Sequence, residues 1–141
     1  MKRTIEVFKP LPITFSKLLA VPLGRKERSL AMIDWQRVTT LRDEIGAEDF
    51  EEVVPMFLEE VEAVTDELRA NPDVIKLEDH MHFLKGCAVS LGFAAFSNMC
   101  NDGEVLAAAG KGTEIDVPAI LDCYEASKTA FMTGLAQGAA A

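Results

Sequence analysis

The residues with the greatest chemical reach lie in one run, HMHFLKGCAVSLGF, spanning positions 80–93. It holds both histidines of the chain. An α-helix turns about 100° per residue. With His82 set at zero, His80, Leu84, Cys87 and Leu91 fall at about 140–200°, with Leu77 near them, and form an apolar stripe. Lys85, Gly86 and Val89 fall within about 60° of His82 and share its outer face. The helix thus offers one imidazole to solvent, with an ammonium at i+3 and a glycine at i+4. A neutral imidazole keeps a nitrogen lone pair near neutral pH, so it can accept a phosphoryl group on nitrogen. Lys85 can set a positive charge beside phosphoryl oxygens. Gly86 removes a side chain where a reacting partner must come close. A mid-helix glycine costs about 1 kcal/mol against alanine, so a steric reason is needed for it.

Other readings of the same residues are weaker. Two ligands at i and i+2 point to opposite sides of a helix, whereas helical metal pairs use i, i+3 or i, i+4, so His80 and His82 do not form a metal site. Cys87 shares a face with His80, but one His and one Cys make an incomplete ligand set. His80 belongs to the buried stripe. No Ser/His/Asp arrangement and no Gly-rich phosphate loop is present, so neither a hydrolase nor a nucleotide site is expected.

These residues need helices to position them, and the apolar spacing supplies five after residue 32. The first spans about 34–44, capped by Asp34, with Trp35, Val38 and Leu41 on one stripe and Gly46 as its stop. The second spans about 47–70. Phe50, Val54, Phe57, Val61, Val64 and Leu68 recur at steps of three and four, and Glu51, Glu52, Glu59, Glu60, Glu62 and Glu67 make a solvated face. The third spans about 74–91 and stops at Gly92. The fourth spans about 94–109, with Phe96, Met99, Cys100 and Leu106 as its stripe and Gly103 as a weak point. The fifth begins near Asp116, its cap, and carries Val117, Leu121, Tyr124, Phe131 and Leu135. Met56, Met81, Met99 and Met132 read as core filler. Short connections between amphipathic helices imply an all-α fold. It is expected to be an up-and-down antiparallel four-helix bundle with an additional N-terminal helix across one end.

Composition bounds the setting. The 141 residues fit one core, and the net charge of −9 argues against a nucleic-acid binder. Seven basic and two acidic residues give segment 1–31 a charge of +5, leaving −14 for 32–141. The basic extension 1–31, broken by Pro10, Pro12 and Pro22, is separated from a domain over 32–141. A targeting peptide, an over-long reading frame upstream of Met32 and an accessory segment all fit its composition. Cys87, Cys100 and Cys123 form no CxxC pair and read as buried, free thiols suited to a reducing cytoplasm. No apolar run of 18 residues or more is present, so no membrane span is expected.

The run His82-Phe83-Leu84-Lys85-Gly86-Cys87-Ala88-Val89-Ser90-Leu91-Gly92 resembles the histidine phosphotransfer (HPt) domain, whose pattern is H-x-L-K-G-[small]-[small]-x-x-L-G. Cys87 stands where serine is more usual. The Ile33-Asp34 pair opening the first helix, the Phe-x-x-x-hydrophobic heptads of the second, and Cys100 with Glu104 on the fourth are also similar to that family. The resemblance covers about 32–135. It implies a phosphorelay intermediate that exchanges a phosphoryl group between His82 and the aspartate of a response-regulator receiver domain. His82 would be the phosphoacceptor, Lys85 the residue offsetting phosphate charge, and Gly86 the clearance for the partner. Glu104 would be an imidazole partner, and Val89 and Phe93 part of an apolar docking patch. It further implies a phosphocarrier rather than an enzyme, with no cofactor or metal of its own, the Mg²⁺ being held by the receiver. Receiver domains and a hybrid histidine kinase are the expected partners of a cytoplasmic monomer that binds neither nucleic acid nor membrane. The alternative left open is a helical adaptor that binds receiver domains or other signalling proteins without being phosphorylated.

Overall fold

A computed structural model describes residues 32–138. The basic extension 1–31 and the end of the tail, 139–141, lie outside the described residues. The described residues form five α-helices: α1 (Trp35–Ile45), α2 (Ala47–Ala70), α3 (Leu77–Leu91), α4 (Ala94–Ala108) and α5 (Val117–Ala136). Two single-turn 3₁₀ helices, Val74–Lys76 and Gly112–Glu114, fill the α2–α3 and α4–α5 connections. There is no strand among the described residues, only an isolated antiparallel bridge between Ile33 and Phe93.

Local chemistry fixes the helix ends. The Asp34 carboxylate accepts from the Arg37 N–H at 3.1 Å, and the Asp116 carboxylate from the Ala119 N–H at 3.0 Å. Asp73 caps the 3₁₀ turn that leads into α3, accepting from the Ile75 N–H at 3.0 Å. The third helix is therefore shorter than its spacing implied, because its first turn winds as 3₁₀. Gly92 ends α3 with a left-handed φ of 83°. Its N–H and that of Phe93 then return to the carbonyls of Val89 and Ala88, at 3.2 and 2.8 Å, and satisfy the end of the helix.

Helices α2, α3, α4 and α5 pack in a ring, each against its chain neighbours, with α5 closing back on α2. The result is an up-and-down four-helix bundle. The α3–α4 pair makes its most intimate seam. Helix α1 packs on α2 and α3 and covers the end of the bundle where α3 stops. There the Asp34 N–H donates to the Gly92 carbonyl at 2.7 Å, and Trp35 stacks on Phe131 with ring centroids 5.9 Å apart. The core joins Phe50, Val54, Phe57, Val61 and Leu68 of α2 to Leu77, Met81, Leu84, Cys87 and Leu91 of α3. Phe96 and Cys100 of α4 and Leu121, Tyr124 and Phe131 of α5 complete it.

Two expectations about α2 and one about α5 need correction. Glu60 is only 3% exposed, and Glu62 is half-buried, so neither belongs to a solvated face. Helix α2 meets α1, α3 and α5, and its covered face is wider than a single stripe. Met132 is exposed on α5 rather than filling the core.

Candidate functional site

His82 stands in the second turn of α3, with its side chain 71% exposed. Beneath it Met81, Leu84 and Cys87 hold the helix to the core with no exposed surface of their own. The phase read from the sequence therefore holds at this point: His82 faces out, and Lys85, Gly86 and Val89 are partly exposed on the same side. His80 faces the other way. Its side chain is 16% exposed, with Nε2 3.7 Å from Glu67 Oε2 on α2.

Glu104 comes to the imidazole from α4. Its Oε2 lies 2.8 Å from His82 Nδ1, and its Oε1 lies 2.6 Å from Lys85 Nζ. One carboxylate thus spans the histidine and the lysine of the neighbouring helix. Burial pushes the Glu104 carboxyl up, but hydrogen bonds from Lys85 and His82, and their charges, bring it below its ordinary value. It is ionised near neutral pH and can only accept. The proton of the imidazole must then sit on Nδ1, which leaves the Nε2 lone pair directed away from Glu104.

Asn101, one turn before Glu104 on α4, places Oδ1 3.5 Å from Lys85 Nζ. The sequence reading did not single it out. Its i, i+3 relation to Glu104 was the available signal, since both must lie on the face of α4 that meets the outer face of α3.

Phe93 does not belong to this surface. It is 1% exposed, and its ring packs 5.1 Å from Phe131 and 6.2 Å from Tyr124, centroid to centroid. Carried past Leu91, the helical phase would put residue 93 on the outer face, but the left-handed turn at Gly92 swings it into the core. Of the two residues expected in a docking patch, only Val89 stays at the surface, half-buried.

The three cysteines are free. Burial pushes the thiols of Cys87 and Cys100, and more mildly that of Cys123, above their ordinary value. They stay protonated and pack as small apolar groups. Among the described residues, no three His, Cys, Asp or Glu side chains are grouped to hold a metal ion. No helix among them is long and apolar enough to cross a membrane.

The sequence model of the Hpt domain matches residues 52–130, more than half of the chain. The chain belongs to the Hpt domain family. No curated protein and no solved structure matches it. Hpt domains serve histidine phosphotransfer in two-component systems, as phosphocarrier modules that work with receiver and kinase proteins. The matched segment spans α3 and α4 and so contains His82, Lys85, Gly86 and Glu104.

Proposed function

We propose that this Hpt domain is a phosphorelay intermediate in which His82 Nε2 takes a phosphoryl group from the phospho-aspartate of one receiver domain and returns it to the aspartate of another. The observation that carries the reading is the 2.8 Å contact between Nδ1 and an ionised Glu104, which leaves Nε2 as the nucleophile on a side chain that is mostly exposed. The Nε2 lone pair forms the N–P bond as the P–O bond to the receiver's aspartate breaks, and that carboxylate leaves as an anion. The ring becomes an imidazolium, and its Nδ1 proton stays in the hydrogen bond to Glu104. In the reverse step the neutral ring leaves with that proton still in place.

Lys85 offsets charge on the phosphoryl oxygens, and Gly86 leaves room for the receiver's loops. The Mg²⁺ that neutralises the aspartyl phosphate comes with the receiver. A hybrid histidine kinase, which carries a receiver of its own, is the natural upstream partner.

The test is transfer from a receiver domain labelled on its phosphoryl group. Wild type should take up label in an acid-labile, base-stable form. His82→Gln should take up none, and His80→Gln should label as wild type does. Label retained by His82→Gln but lost in His80→Gln would refute the assignment of the phosphoacceptor.

A further inference from the structure

We infer that Gly103 and Met81 form a complementary pair that sets the spacing of α3 and α4, and through it the contact between His82 and Glu104. The inference rests on the phosphotransfer reading above for its consequence, though not for its geometry. Met81 directly precedes His82, and Gly103 directly precedes Glu104. Both are buried, Met81 completely. A Cβ placed on residue 103 would lie 2.8 Å from Met81 Sδ and 3.2 Å from Met81 Cγ, with Ile120 Cδ1 at 3.6 Å. The methionine of α3 therefore fills the hollow that the glycine leaves on α4.

Helix propensity argues against this glycine, since alanine at an interior position is better by about 1 kcal/mol. Close approach of the two helices explains it. Non-bonded carbon contacts settle at about 3.5–4.0 Å, so an added methyl would have to displace Met81 or α4 by more than half an ångström. Each member of the pair is one residue away from a partner in the 2.8 Å Nδ1–Oε2 contact. A comparable displacement passed to that contact would stretch it past the usual limit of about 3.2 Å. Gly103 never touches the imidazole; it is a positioning residue that acts through Glu104.

The experiment uses the full chain with a phosphorylated receiver domain, and reads the initial transfer rate together with the ¹⁵N NMR spectrum of the His82 ring. Gly103→Ala should slow transfer roughly tenfold, as expected for a sub-ångström misplacement. It should also move the ring spectrum away from the pure Nδ1–H tautomer. Gly103→Leu should do more of both. Exchanging side-chain bulk between the helices, as Met81→Ala with Gly103→Val, removes and adds the same number of heavy atoms and should restore most of the rate. In a Glu104→Ala background, Gly103→Ala should cost nothing further, because the contact it acts through is gone.

A Gly103→Ala protein with wild-type rate and ring spectrum would overturn the inference, as would a rate loss that simply adds to that of Glu104→Ala. So would an exchanged variant that folds but stays slow. If Gly103→Leu alone does not fold, the alanine variant and the exchange decide the matter. Failure of the phosphotransfer reading would look different: label would persist in His82→Gln, while the ring spectrum would still report on the spacing.

Discussion

At the scale of the residue, the site depends on how one carboxylate is shared. Glu104 accepts from Nδ1 of His82 and pairs with the ammonium of Lys85. The ammonium, at the end of a side chain that is 19% exposed, is therefore already engaged before any phosphoryl group arrives. To offset phosphate charge, Lys85 must lend one of its three donors outward while Glu104 and Asn101 keep the others. Lys85→Ala should slow transfer by roughly tenfold or more, as losing a donor to developing oxyanion charge does elsewhere. The fold should persist, because partly exposed ion pairs contribute only about 0–1 kcal/mol. Transfer rates beside a thermal melt check this: a collapse of the melt would mean that Lys85 acts as a packing residue instead.

At the scale of the element, α3 does its work because of where it stops. Gly92 adopts a left-handed φ of 83°, and a Cβ there would meet the Asp34 carbonyl at 2.8 Å and Val38 Cγ2 at 3.0 Å. The same residue reverses the chain, seats Phe93 in the core and receives α1 across the end of the bundle. Gly92→Ala carries both a conformational cost and a clash, so it should destabilise the domain by about 2–3 kcal/mol. A denaturant titration measures this, and a loss below about 0.5 kcal/mol, the scale of ordinary surface changes, would contradict it.

This turn also marks the limit of what the sequence disclosed. Helical phase located His82, Lys85 and Gly86 on one face and His80 on the other, because 100° steps accumulate reliably inside a single helix. The caps at Asp34 and Asp116 and the stops at Gly46 and Gly92 were legible for the same local reason. Past Gly92 the phase has no meaning, and Phe93 was misplaced. Glu60 was misread for another reason: its burial depends on which helices flank α2, a tertiary fact that periodicity does not contain. The Glu104 contact was only an implication of family resemblance, since no spacing rule relates residues on different helices.

At the scale of the whole molecule, residues 32–141 carry a charge of −14, so each carboxylate that keeps a partner matters to the folded state. Across the bundle from the α3–α4 seam, Glu62 ties α2 to α5. Its Oε2 accepts from Tyr124 Oη at 2.8 Å and from Lys128 Nζ at 2.5 Å. Burial pushes Glu62 up, but the bonds from Lys128 and Tyr124, with the charges of Lys128 and Arg69, bring it below its ordinary value of 4.5. A folded value below the unfolded one stabilises the native state fully above about pH 4.5, and that stability is lost as pH falls through the folded value. Glu104 is shifted the same way and adds to the same acid limb. Glu62→Gln should therefore be less stable than wild type at pH 6, by about 1 kcal/mol after allowing for solvent screening of this partly exposed pair. The gap should close as pH falls through the folded value of Glu62, because wild type then loses the charge as well. Transfer to His82 should be unaffected, because the substitution lies on the opposite seam. Denaturant midpoints at pH 6 and at successively lower pH measure the gap directly. A gap that widens toward low pH would mean that Glu62 titrates above its ordinary value, and that the α2–α5 seam is held by packing alone.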